Sequence, residues 1–187
     1  MLQTEKKAID NLLTSYISDH HLPGLSVAVV DHASVVLAQG YGLADVENSV
    51  PASADTVYRI ASLSKPISAT AAMRLVESEK LDLDVPVQKY CPSFSTKAVA
   101  HHNSRVARTS KRDPRLQKCQ EGGPISKHRG LQEAGHGGDQ QGFSSVLYLL
   151  PEKQFGVVIL SNLEGQQNSS TFIALSRQIY DVVSSPN

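Results

Sequence analysis

GFSSVLYLLPEKQFGVVILSN, residues 142–162, holds two runs rich in aliphatic and aromatic residues around a Pro-Glu-Lys-Gln turn. Short runs of this kind, bounded by turn-forming residues, read as strands: a hairpin of 142–153 and 155–162. A matching pair stands near the start of the chain, LSVAVVD (25–31) and SVVLAQGYG (34–42), joined by His32 and Ala33. A helix is expected at each end. Residues 3–19 carry Ala8, Ile9, Leu12, Leu13, Tyr16 and Ile17 at helical spacing, and His20, His21, Pro23 and Gly24 stop that run. Asn168, Ser169 and Ser170 offer N-caps to a closing helix with Phe172, Ile173, Leu175, Ile179 and Val183 on its apolar stripe. The same triplet fits a glycosylation acceptor, but capping is the reading taken, since nothing else argues for secretion. Two hairpins between terminal helices imply an antiparallel sheet flanked by helices, an α+β fold and not a doubly wound one.

Between the hairpins, ENSVPASADTVY (47–58) is a polar connector, and 61–80 is expected as a helix with Ile67, Ala71, Ala72, Leu75 and Val76 on one stripe. LDLDVPVQKY follows as an extended stretch. After Phe94 the character changes. Residues 97–130 hold nine Lys and Arg against two acids, Asp113 and Glu121, with sparse aliphatics and no clear period. Such a segment buries too little apolar area to offset its ordering entropy, so disorder is expected. The chain thus divides into 1–96, a basic insert over 97–134, and 135–187.

At 187 residues there is room for one domain with a real core. Eighteen basic residues balance eighteen acidic ones, so no global field points to nucleic acid or an anionic membrane. Residues 97–130 could make phosphate contacts, yet they lack stacking residues and any known module, so no nucleic-acid partner is expected. No apolar run approaches the roughly 20 residues of a membrane span. MLQTEKKAIDNLL lacks the continuous apolar stretch of a secretory signal, which makes a cytoplasmic location the default. Cys91 and Cys119 form no CxxC, and the histidines at 20, 21, 32, 101, 102, 128 and 136 form no ligand set, so neither metal nor cofactor is expected.

The chemistry lies in YRIASLSKPISATAAMRLV, 58–76. Ser62 and Lys65 are three apart at an expected helix start, and residues so spaced share a helix face. A serine hydroxyl becomes a useful nucleophile when a base takes its proton, and a dehydrated lysine can supply a neutral amine for that purpose. At a helix N-terminus the dipole and the Ser62 N–H would favour a developing oxyanion. Pro66 is tolerated because first-turn residues need no intrahelical donor. The plain alternative is a solvated polar pair, and Ser-x-x-Lys alone does not decide between them.

The stretch YRIASLSKPISATAAMRLVESEKLDLDVPVQKYCPSF resembles the nucleophile region of the serine β-lactamase-related family. That family includes class C β-lactamases, low-molecular-weight penicillin-binding proteins, related esterases and mitochondrial serine β-lactamase-like proteins, the last in particular. LPGLSVAVVDHASVVLAQGYGLADVEN is similar to its opening strands, and GHGGDQQGFSSVLYLLPEKQFGVVILSN to its third motif and the strands after it. The resemblance implies a β-lactamase/transpeptidase-like fold and a hydrolase of amide or ester substrates, small molecule or peptide, acting through an acyl-enzyme. It implies Ser62 as nucleophile and Lys65 as its proton acceptor. His136-Gly137-Gly138 would stand where the family has Lys-Thr-Gly or His-x-Gly. His136 would then orient a substrate carboxylate or the proton network, and Gly138 would let the backbone approach the ligand. The N–H groups of Ser62 and Asp139 would form the oxyanion hole, with the Asp139 carboxylate turned away.

The family's second motif, Tyr-x-Asn or Ser-x-Asn, is not found between the other two. No tyrosine, at 16, 41, 58, 90, 148 or 180, has Asn two positions later, and the Ser-x-Asn at 185–187 ends the chain. The interval between Phe94 and Gly135 is too short for the family's helical subdomain. Codons for AVAHHNSRVARTSKRD (98–113), read one base later, can spell PWPITTRELLAHQSGI, which resembles what the family places after its first motif. Residues 97–130 therefore read as a frameshifted translation of an internally truncated family member. Two expectations stand side by side: a hydrolase acting through Ser62, and an inactive remnant of that family.

Overall fold

The computed structural model describes residues 1–94, 126–163 and 168–185. They belong to two compact units, one of Met1–Leu63 with Pro124–Asn187 and the other of Ser64–Gly123.

The first unit is built on a seven-stranded antiparallel sheet. Its strands are β1 (Gly24–Asp31), β2 (Ser34–Asp45), β3 (Val50–Pro51), β4 (Ser126–His128), β5 (Leu131–Gln140), β6 (Phe143–Leu150) and β7 (Phe155–Ser161), with helices α1 (Gln3–Asp19) and α3 (Asn168–Val183). The order across the sheet is β3-β2-β1-β7-β6-β5-β4. Both expected hairpins are present. His32 and Ala33 take the two positive φ angles, 48° and 61°, that a tight hairpin turn demands. The two hairpins meet at the sheet's centre, where β1 and β7 pair from Leu25↔Ser161 to Val30↔Gly156. The fold is the α+β arrangement that the pattern implies.

One face of the sheet carries the core. Leu25, Val27 and Val29 of β1, Val146, Tyr148 and Leu150 of β6, and Val157 and Ile159 of β7 alternate onto it. Ile9 and Leu13 of α1 and Phe172, Leu175 and Ile179 of α3 close over them, fully buried or nearly so. Burial of such side chains contributes roughly 1.5–3 kcal/mol each. Gly135 of β5 lets α3 approach, since a β-carbon there would stand 3.4 Å from the Ile173 side chain.

The pattern assigned no strand to 126–134, yet β4 and the first part of β5 lie there. A polar tie compensates for their weak β composition. Glu133, buried on the helix side, accepts hydrogen bonds from Tyr148 Oη (2.8 Å) and Arg177 Nε (3.0 Å), and also pairs with Ser126 Oγ and Arg177 Nη2. The hydrogen bonds from Arg177, more than those from Ser126 and Tyr148, hold the Glu133 carboxyl down at about 2 against the opposing effect of burial. Of the basic insert expected over 97–134, residues 97–125 and their reading frame lie outside the described residues, while 126–134 form β4 and the start of β5 where the sequence predicts disorder as far as 130.

The opposite face has a distinct feature. Gly40, Ser26, Leu160, Ser145 and Gly138 form one register row across five strands. Residues 52–62 cross the sheet on this row as a strap. A β-carbon on Gly40 would overlap the backbone of Ala52 and Ser53. Ser26 Oγ donates to the Ser53 carbonyl (2.7 Å) and lies 3.0 Å from Tyr58 Oη. Tyr58 also packs edge-on against Phe143, ring centroids 6.5 Å apart. The same face carries an apolar groove of about 280 Å³ lined by Ala28, Val30, Leu147, Leu149 and Val158.

In the second unit, the helix expected over 61–80 is shorter. Ala61–Leu63 is a separate 3-10 turn on the sheet unit, and α2 runs Ser64–Glu77. Ala61 has φ of +47°, which no right-handed helix accommodates, and Glu79 at +57° ends the other side. A 3-10 turn over Val87–Lys89 interrupts the stretch expected to be extended. No residue of α2 is buried, and its stripe residues Ile67 and Leu75 are 59% and 47% exposed. Among the described residues no helix is long and apolar enough to cross a membrane.

Two predictions follow from this packing. A carboxylate held below its ordinary 4.5 contributes stability above that value and loses it as pH falls toward 2. Glu133→Gln is therefore expected to cost about 3 kcal/mol at pH 7 and to flatten the acid limb between about pH 5 and 2, read by urea titration across pH. Ile67→Ser, at an exposed apolar position, is expected to change the thermal midpoint by less than about 1 °C while raising the solubility limit.

Candidate active site

Ser62 reaches its place at the end of the strap. Leu63 N–H bonds back to the Ile60 carbonyl (3.1 Å), which closes the 3-10 turn, and Leu63 is buried beneath it. Ala61, just before Ser62, holds a left-handed conformation that costs an alanine about 1–2 kcal/mol and needs its surroundings to enforce it.

Those surroundings are β5 and β6. A β-carbon on Gly138 would stand 2.5 Å from the Ile60 carbonyl oxygen, 2.7 Å from Ser145 Oγ and 2.8 Å from the Ser62 amide nitrogen. Only glycine fits. Buried Ser145 lies 2.9 Å from the Ile60 carbonyl and 3.1 Å from the Gly138 carbonyl, within donating reach of each.

His136 lies two residues before Gly138, hence on the same face and roughly 7 Å along the strand. Its Nδ1 is buried and has no hydrogen-bond partner among the described residues. A buried ring nitrogen in that state is costly, and a substrate group or water would relieve the cost. Asp139 is exposed, and the pleat directs its side chain to the face opposite Ser62. β4 pairs with β5 at 131–133, so beyond Glu133 the outer edge of β5 has no strand beside it among the described residues.

Ser62, His136 and Gly138 are thus brought to one face of one unit. Lys65 is in the first turn of α2, in the other unit, and is exposed while Ser62 is half-buried. Among the described residues no three of His, Cys, Asp and Glu group as a metal site requires.

Ser26, Gly40, Tyr58 and Ser145 were not singled out by sequence reasoning. A signal existed: Ser144 and Ser145 interrupt an apolar run at a central strand, where small polar residues demand a partner.

Comparison with known proteins agrees with this architecture. The Beta-lactamase family model matches residues 9–106, more than half of the chain. Serine beta-lactamase-like protein LACTB, mitochondrial, of Homo sapiens is 49% identical over 75 residues, which are 40% of this chain and 14% of that protein. Protein flp of Staphylococcus aureus is 35% identical over 89 residues, 48% of this chain and 18% of that protein. The matches therefore span less than a fifth of these relatives' own length. The class C beta-lactamase of Rhodobacter sphaeroides superposes with a TM-score of 0.63 at 14% identity, covering 95% of this chain and 98% of the other, a likeness of fold. With the Beta-lactamase model matching more than half of its residues, the chain belongs to the beta-lactamase family.

Proposed function

We propose that the chain is a β-lactamase-related serine hydrolase acting on an amide or ester through an acyl-enzyme at Ser62. Ser62 Oγ attacks the substrate carbonyl and its proton passes to the Lys65 amine. That proton then leaves with the departing amine or alcohol. Water hydrolyses the acyl ester, releasing the acid and restoring the hydroxyl. The Ser62 and Asp139 N–H groups stabilise the oxyanion, and His136 receives a substrate carboxylate or joins the proton network. The role of Lys65 rests on the Ser-x-x-Lys spacing of the sequence and its resemblance to the family's first motif. The observation that carries this reading is the Ser62 amide seated against Gly138, on a strand whose outer edge there has no strand beside it among the described residues.

A second reading, an inactive remnant of the family, is favoured by two observations. No Tyr-x-Asn or Ser-x-Asn lies between Lys65 and His136, and Lys65 is exposed where a proton acceptor benefits from dehydration. Loss of one proton-transfer group costs on the order of 10²–10⁴ in rate.

A fluorescent acyl-serine probe separates the two. The hydrolase predicts labelling of the wild type that disappears in Ser62→Ala, read on a denaturing gel. A folded wild type that takes no label would count heavily against the hydrolase and favour the remnant.

A further inference from the structure

We propose that Ser145 is a positioning residue for Ser62, its hydroxyl tethering the serine turn to the glycine strand. This rests on the reading of Ser62 as the nucleophile. Ser145 is completely buried on β6, in register with Gly138 on one side and Leu160 on the other. Its one hydroxyl proton faces two carbonyl oxygens, that of Ile60 at 2.9 Å and that of Gly138 at 3.1 Å.

The location matters more than the count of bonds. The Ile60 carbonyl belongs to the residue just before left-handed Ala61 and two before Ser62, and it also closes the turn through Leu63 N–H. A fixed Ile60 carbonyl fixes the plane of the next peptide, and through Ala61 the direction of the Ser62 amide and side chain. The Gly138 carbonyl belongs to the strand against which that amide rests. One hydroxyl thus reports to both walls of the proposed oxyanion site. Removing it leaves the fold intact, because β6 keeps its ladder to β5 and β7, but lets the turn rotate away from its productive geometry. Misplacement of a reacting group by about 1 Å costs on the order of 10²-fold.

Ser26 supplies the internal comparison. It sits in the same register row, is likewise nearly buried, and bonds the same strap at Ser53, nine residues before Ser62. Loss of a strap hydrogen bond is common to both variants. Loss of the tether at the nucleophile is particular to Ser145.

The test compares Ser145→Ala and Ser26→Ala, each well below its unfolding temperature. Two readouts are used: the rate constant for Ser62 acylation by the probe, separated from the probe's reversible affinity, and amide exchange at Leu63. Ser145→Ala is expected to slow acylation about 10–100-fold at unchanged affinity and to quicken Leu63 exchange about tenfold over core β1 and β7 amides. Ser26→Ala is expected to shift each by less than about threefold at a similar drop in thermal midpoint. Equal effects in the two variants, or unchanged Leu63 exchange in Ser145→Ala, would overturn the proposal. Selectively quickened exchange in Ser145→Ala, with the wild type refusing the probe, would support the tether and count against the hydrolase reading alone.

Discussion

Backbone laid directly on backbone is the constraint from which the rest of this site descends. Residues 52–62 cross the sheet where Gly40 and Gly138 have no side chain to lift them and where Ser26 and Ser145 offer hydroxyls to hold them. Close approach buries carbonyl oxygens, and each buried carbonyl needs a donor. The two serines add a second donor to carbonyls that already close turns of the strap, Ser53 through Thr56 N–H and Ile60 through Leu63 N–H. A larger residue in either place would lift the strap, and an apolar one would cut its tie to the sheet.

That arrangement depends in turn on β1 and β7. Gly40 and Ser26 come from the first hairpin, Ser145 from the second and Gly138 from the strand beside it, so the row exists because the two hairpins pair at the centre in one register. A slip of one residue would turn Ser26 and Ser145 into the core and Val27 and Val146 onto the strap. The apolar alternation that sets the core therefore also sets the site, and the two helices that cover Val27, Val146 and Ile159 enforce the register from the far side. Glu133 adds a polar lock, fastening β5, which carries His136 and Gly138, to Arg177 of α3.

The sequence made some of this legible and not the rest. Helix α1 could be read to its ends because an isolated amphipathic stripe is set by local periodicity and stopped by Pro23 and Gly24. The hairpins could be read because β-branched runs around short turns leave few options. Strand β5 could not: LQEAGHGGDQ has poor β propensity, and it is a strand because Tyr148 and Arg177, distant in sequence, meet Glu133. Resemblance alone located His136 and Gly138 there. The helix start at Ala61 was misread because a left-handed alanine is a tertiary requirement with no local signal. Ser145 escaped notice for the same reason, its partner Ile60 being 85 residues away.

The central claim is that the serine turn is pressed against the backbone of β5 at Gly138. Thermal unfolding of Gly138→Ala measures it directly, because a methyl group there would meet only main chain and one tethered hydroxyl, neither of which yields easily. The account predicts a midpoint lowered by about 3–10 °C, as an overlap costing roughly 1–3 kcal/mol would produce in a chain of this size. A midpoint equal to that of the wild type would contradict it.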